Sequence, residues 1–393
     1  MEKTPLSLRT HITIFGNTNS GKSSLFNKLI GEDMMIVSDV AGTTTDPVTK
    51  AMELIPYGPI ALTDTAGWGD TTMIGDKREA KTDKLLSRTD FAIYTASVTD
   101  FDKDAYDRAC REFGTRKIDH ILVFTKSDMG ECKYISEYPK SVCVSVKDEK
   151  SIETLKQILI ERLGKSVTRE PSMIGDLLGR GSTVVLVIPI DSEAPKGRLI
   201  LPQVQLIRDC LDNGIRAICV RETELCDTLS DISGVDLVVT DSQVFKYVAE
   251  LVPNHIPLTS FSMLLANAKG DIRTLSEGAK AISRLKNGSK ILMAEACTHN
   301  TSHEDIGRVK IPNALRKFTG KDLEFTYSIH HDFPDNLSEY DLVIHCGGCM
   351  LNKKAMEGRI SLCKSAGVSI TNYGVVLSYV NGILERSMEI FNK

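Results

Sequence analysis

Residues 16–23 read Gly-Asn-Thr-Asn-Ser-Gly-Lys-Ser, the spacing of a phosphate-binding loop, set between an apolar run (Ile12–Phe15) and a helical pattern opening at Lys22. Glycines at both ends let the backbone N–H groups wrap phosphate oxygens at a helix N-terminus. The candidate nucleotide contacts are Gly16, Asn17, Asn19, Ser20, Gly21, Lys22, Ser23 and Ser24, with Lys22 reaching the β and γ oxygens and Ser23 ligating magnesium. The loop alone does not separate ATP from GTP. Downstream, Asp64-Thr65-Ala66-Gly67 follows the apolar run Ile60–Leu62, so that Asp64 can hold magnesium through water and the Gly67 N–H can sense the γ-phosphate. Thr125-Lys126-Ser127-Asp128 follows another apolar run, and the Asp128 carboxylate can accept from the N1 and N2 donors of guanine, a pair that adenine lacks. Ser145-Val146-Lys147 adds a backbone donor for guanine O6. Four motifs at the C-terminal ends of apolar strands match the ligand crevice of a parallel sheet, and they predict GTP/GDP with Mg2+.

A second constellation lies near the other end. Glu295-Ala296-Cys297-Thr298-His299 follows one apolar run, and His345-Cys346-Gly347-Gly348-Cys349 follows another. A Cys-x-x-Cys pair with two intervening glycines can wrap its thiolates around one metal, and Cys297 supplies a third soft ligand. Three cysteines with one histidine suit structural zinc, and three thiolates suit an iron-sulfur cluster. The residue types alone leave both open. His299, His345, Glu295 or water can fill the fourth position. His303, His330 and His331 read as surface or packing residues.

The four N-terminal motifs resemble those of translation-factor-like small GTPases, although Thr125 stands where that pattern usually has Asn and so loses a side-chain amide. Two details resemble the potassium-stimulated subgroup typified by the tRNA-modification GTPase MnmE. Asn19 occupies the position of its cation-binding Asn, and residues 38–46, Ser-Asp-Val-Ala-Gly-Thr-Thr-Thr-Asp, resemble its switch segment. The resemblance implies that Thr44 ligates magnesium, and that K+ is bound by Asn19, Thr43 and the carbonyls of Ser38 and Val40. Trp68 follows Gly67 where Ras-type enzymes have a water-orienting Gln, so unaided hydrolysis is expected to be slow, and K+ would supply the charge an arginine finger supplies elsewhere. The proposed catalytic set is Lys22, Thr44, Asp64 and Gly67, while Arg78 and Arg88 read as solvated helix surface.

Taken over the whole chain, the GTPase motifs, an α/β connector and the C-terminal Cys/His motifs resemble the FeFe-hydrogenase maturation GTPases, HydF. That resemblance implies a 4Fe-4S cluster on Cys297, Cys346 and Cys349 and a scaffold or carrier role for a diiron precursor. It also implies two radical-SAM maturation enzymes and apo FeFe-hydrogenase as partners. An RNA-directed GTPase with a C-terminal zinc site is the alternative, and a switch whose cluster senses redox state is a third reading.

These residues need a scaffold. The 393 residues exceed one hydrophobic core. The expected fold class is α/β, a P-loop GTPase domain (8–168) followed by two smaller α/β domains. These are a connector expected to dimerise (180–264) and a cluster-binding domain (265–393). In the connector, strands are expected at 183–190, 217–220 and 237–240, and in the third domain at 290–293 and 342–345, with a final helix over 376–391. Residues 191–198 read as a solvated loop. A formal net charge of -4 with 25% charged residues gives no electrostatic footprint for nucleic acid. The N-terminus lacks a signal-peptide pattern and the longest apolar run is far short of a membrane span of about 18 residues, so a cytoplasmic, membrane-free protein is expected. In that compartment the ten cysteines should be mostly reduced, with Cys110, Cys132, Cys143, Cys210, Cys219, Cys226 and Cys363 as separate thiols.

Overall fold

A computed structural model describes residues 4–31, 47–65, 85–166, 172–190, 196–296, 306–329, 333–334, 336–349 and 351–392. The chain forms two compact units, Met1–Glu170 and Pro171–Lys393. The first holds one six-stranded sheet of β1 (Thr10–Gly16), β2 (Val48–Leu54), β3 (Gly58–Asp64), β4 (Phe91–Ser97), β5 (Asp119–Thr125) and β6 (Val142–Cys143), in the order β2-β3-β1-β4-β5-β6. Among the described strands only β2 runs antiparallel, against β3. One face of the sheet (Ile12, Ile14, Ile60, Leu62) packs with residues of helices Lys22–Ile30 and Glu149–Ser166, and the other (Phe15, Tyr94, Phe124) packs with residues of helix Lys103–Thr115. Because both faces are covered, every residue of β4 is buried, which is why that strand shows no polar alternation.

The second unit carries two parallel four-stranded sheets. β7 (Thr183–Val187), β8 (Arg216–Val220), β9 (Leu237–Thr240) and β10 (Leu258–Ser260) order as β10-β9-β7-β8. β11 (Ser289–Glu295), β12 (Leu323–Ile329), β13 (Leu342–His345) and β14 (Ser369–Asn372) order as β12-β11-β13-β14. The chain leaves β11 to one side for β12 and returns on the other for β13, so a topological switch point lies between β11 and β13. Helix Phe261–Lys269 packs against helix Leu201–Asp212 on one side and against helices Lys353–Ser365 and Tyr373–Val380 on the other. One hydrophobic cluster therefore runs from Met173 to Phe391.

Two expectations are corrected. The final helix, expected over 376–391, is instead two helices, Tyr373–Val380 and Leu384–Met388, because Gly382 takes a left-handed turn at φ 71°. Cys132 and Cys143, expected as separate thiols, form a disulfide, the loop after Asp128 bringing Cys132 to β6 with a Cα–Cα distance of 6.7 Å. Among the described residues, no helix is long and apolar enough to cross a membrane.

Candidate functional site

The phosphate loop is held by a ladder of side chains between β1, β4 and β5. Gly16 sits at φ 145° with its Cα so close to β4 that a Cβ would lie 2.3 Å from the Thr95 carbonyl oxygen, so no other residue fits. Thr95 donates to the Phe15 carbonyl (3.1 Å), which leaves its hydroxyl to accept from Ser20 (2.8 Å). Lys22 opens helix Lys22–Ile30, and its Nζ donates to the carbonyls of Gly16 (3.0 Å) and Asn17 (2.7 Å), fixing the ammonium along the loop. Burial lowers the Lys22 pKa, opposed by the negative charge of Asp64. Asp64, at the end of β3, is shifted upward by burial, while a hydrogen bond from Ser23 and the charge of Lys22 pull the other way. Its Oδ1 is buried with no hydrogen-bond partner among the described residues. A carboxylate bonded to a serine hydroxyl and leaving one oxygen orphaned makes a hard donor pair suited to magnesium.

The base-reading motifs assemble at the ends of β5 and β6. Lys126, at φ 59°, donates from Nζ to the Asn19 carbonyl (2.8 Å), tying this motif to the phosphate loop. Thr125 does the same: its hydroxyl donates to the Ser20 carbonyl at 2.7 Å, so the substitution for Asn keeps a loop tie that the sequence pattern alone did not reveal. Asp128 accepts from Lys147 Nζ (2.7 Å) and from the Ser145 hydroxyl (2.8 Å), and these two bonds, Lys147 first, lower its pKa. The carboxylate is thus kept ionised and aimed, as a reader of two N–H donors requires. Replacing Asp128 with Asn is expected to weaken GTP binding by about 10²-fold and to favour xanthosine triphosphate. Competition binding of the two nucleotides measures this, and unchanged GTP affinity would contradict the assignment. Thr43, Thr44 and Gly67, together with Ser38, Val40, Trp68 and Arg78, lie outside the described residues.

At the switch point of the third sheet, Ala294 and His345 are register partners on β11 and β13. The Cys346 N–H donates to the Ala294 carbonyl (2.9 Å), and the Ala296 N–H donates to Cys346 Sγ (3.2 Å). An N–H bond to sulfur favours the thiolate that a metal needs. Gly348, at φ 64°, turns the loop where a Cβ would meet Met356 Cε at 2.4 Å. Asn352 then caps helix Lys353–Ser365, its side chain accepting from the Ala355 N–H. Cys346 is buried and Cys349 half-buried. Cys297 and His299, which would complete the constellation, lie outside the described residues, and among those described no three metal-ligating side chains converge.

Three further side chains surround this loop. His345 is fully buried, with Nδ1 bonded to the Cys346 carbonyl (2.7 Å) and Nε2 bonded to Arg359 (2.5 Å). A guanidinium only donates, so Nε2 accepts and the Nδ1–H donates; as placed, the ring offers a metal no lone pair. Glu295 accepts from Arg308 (3.1 Å) and Tyr373 (3.4 Å). Lys269 is buried with its Nζ bonded to the carbonyls of Gly348, Cys349 and Leu351, and burial brings its pKa down to about 8 against the opposing effect of the neighbouring Cys349 and Cys346. Sequence reasoning missed Lys269 and Arg359. Their partners lie at long sequence separation, 79 to 82 positions away for Lys269 and 14 for Arg359, so neither stands out in its local pattern.

The fold and the first unit's loops define a P-loop GTPase, which binds GTP/GDP with Mg2+, extended by two further α/β domains. Residues 11–126 match the family described as "50S ribosome-binding GTPase", residues 173–270 "Hydrogen maturase F dimerization domain" and residues 273–390 "Hydrogen maturase F tetramerization domain". The chain belongs to the hydrogen maturase F family, its P-loop GTPase domain followed by that family's dimerization and tetramerization domains. The tRNA modification GTPase MnmE of Ralstonia nicotianae is 32% identical over 165 residues, covering 39% of this chain and 35% of that protein. The Aquifex aeolicus MnmE is 31% identical over 163 residues, 40% of this chain and 35% of that protein. The chain thus spans about a third of the length of these relatives. Among solved structures, the G domain of the T. maritima FeoB iron transporter aligns at 24% identity and a TM-score of 0.30, over 39% of this chain and 98% of that one.

Proposed function

We propose that this chain is a GTP-hydrolysing scaffold that binds a 4Fe-4S cluster through Cys297, Cys346 and Cys349. In this reading it assembles or delivers the diiron precursor to apo FeFe-hydrogenase, working as a cytoplasmic homodimer with two radical-SAM enzymes. The three-domain division with a boundary near residue 265 belongs to the same reading. Its main support is the Cys346–Cys349 loop, which sits at a topological switch point, inside the tetramerization match, with a backbone N–H aimed at the Cys346 sulfur. When bound, the cluster supplies soft iron sites with one exchangeable position. With both His345 nitrogens engaged, that fourth position falls to Glu295, His299 or water. A chain loaded with iron and sulfide under anaerobic conditions, and charged by the two radical-SAM enzymes, should restore hydrogen evolution to apo-hydrogenase. A fully loaded chain that never does so would overturn the delivery role.

The catalytic reading of the first unit rests on Lys22 and Asp64, with Thr44 and Gly67 completing the site. Ser23, Thr44 and Asp64 would hold Mg2+. For K+, Asn19 is poised in the loop at φ 62°, its carbonyl fixed by Lys126, with Thr43 and the carbonyls of Ser38 and Val40 as the remaining donors. Turnover is expected to rise on the order of 10-fold to 10²-fold when K+ replaces Na+, the scale of one preorganised charge at the phosphates. Asn19→Ala should remove most of that rise while nucleotide binding persists. Equal rates in the two salts would show that Asn19 only shapes the loop.

A further inference from the structure

We infer that Lys269 is the positioning residue of the cysteine loop, clamping Gly348, Cys349 and Leu351 through their carbonyls and balancing the charge of the cluster proposed above, on which this inference rests. Lys269 is the last residue of helix Phe261–Lys269 and is only 6% exposed. Its Nζ donates to the carbonyls of Gly348 (3.0 Å), Cys349 (3.0 Å) and Leu351 (2.8 Å). All three ammonium protons are therefore used, each on a different peptide of the same turn. Gly347 and Gly348 make this turn soft, and the clamp replaces the order that two glycines remove.

Hydrogen bonding alone does not account for a charge here. A glutamine would present neutral donors to carbonyls, without the desolvation cost of a buried ammonium. Among the described residues no carboxylate is paired with Lys269, and the ionisable groups facing it are the thiols of Cys346 and Cys349. The second cation of this region, Arg359, lies buried with the Cys346 and Cys363 thiols as its ionisable neighbours, but its guanidinium is turned to His345 and lies over the Phe333 ring at 5.1 Å. A cluster core held by three thiolates is anionic when oxidised and more so when reduced, so a fixed ammonium beside it favours the reduced state.

Two measurements on the full-length chain separate the clamp from the charge. In metal-free protein, Lys269→Met should raise hydrogen exchange at the amides of residues 346–351 by about tenfold or more, and Lys269→Gln by less. After anaerobic reconstitution, both neutral variants should shift the reduced-to-oxidised ratio at fixed potential toward the oxidised form by about tenfold, a fall of roughly 59 mV for one electron. Lys269→Arg should return the potential toward wild type. If Lys269→Met does not fold, the Gln and Arg variants decide the question. Unchanged exchange in Lys269→Met or Lys269→Gln overturns the clamp, and an unchanged potential in a reconstituted neutral variant overturns the charge role. A wild-type chain that takes up no iron would instead remove the cluster reading, while the exchange experiment on metal-free protein would still decide the clamp.

Discussion

Cys346→Ala, purified anaerobically, is expected to retain no more than about a tenth of the wild-type iron while hydrolysing GTP at the wild-type rate. Of the two proposed cysteine ligands that the structure describes, Cys346 is the more tightly fixed. Its backbone N–H is bonded to β11, its sulfur accepts from Ala296, and its side chain is buried. Cys363, whose thiol is fully buried and pushed up to about 12, is held neutral in the interior and does not replace it. Cys297→Ala and Cys349→Ala should lose iron similarly, since a three-thiolate site has no spare anchor. GTP turnover should persist because Lys22, Asp64 and Asp128 belong to the other compact unit, with its own hydrophobic cores. Iron quantitation beside a phosphate-release assay checks both halves. Full loading of Cys346→Ala, or hydrogenase activation by it, would return the C-terminal domain to unknown function.

Lys22→Ala should have the reciprocal effect, lowering GTP turnover by about 10²-fold to 10³-fold and leaving iron content and cluster spectrum at wild-type values. The ammonium is buried against the loop it serves, and two loop carbonyls, Gly16 and Asn17, hold its direction. Removing it takes a positive charge from the place where phosphate oxygens gain negative charge, and it leaves those carbonyls without their donor. Turnover within about threefold of wild type would mean that Lys22 only shapes the loop. Because hydrolysis and iron content are read on the same preparation, a general folding failure would show as loss of both.

The two chemistries were legible in the sequence to different depths. The phosphate loop, Asp64 and Asp128 could be read because each lies in a short contiguous motif at the end of a seven-residue strand, and Ser145 because its motif comes just after the two-residue β6. Elements with no such signal escaped: β10 and β14 are three and four residues long, and helix Phe261–Lys269 is buried nearly all round, so it shows no periodicity. The contacts that tune the sites are long-range. Thr125 reaches Ser20 across 105 positions and Lys269 reaches the cysteine loop across 79 to 82, so neither pairing leaves a mark in local spacing. His345 shows the reverse case. A histidine next to Cys-x-x-Cys suggests a ligand, yet the fold buries it and commits both ring nitrogens to Cys346 and Arg359.

The central claim, that an iron-sulfur scaffold is joined to a GTPase in one chain, is tested most directly by analysing the wild-type protein after anaerobic purification and reconstitution. Iron, acid-labile sulfide and zinc are quantified per chain, and the reduced sample is examined by electron paramagnetic resonance. The account predicts roughly four iron and four sulfide per chain, little zinc, and a reduced-cluster signal that the Cys346→Ala protein lacks. About one zinc per chain, with neither iron nor sulfide, would contradict it and make the cysteine loop a structural metal site.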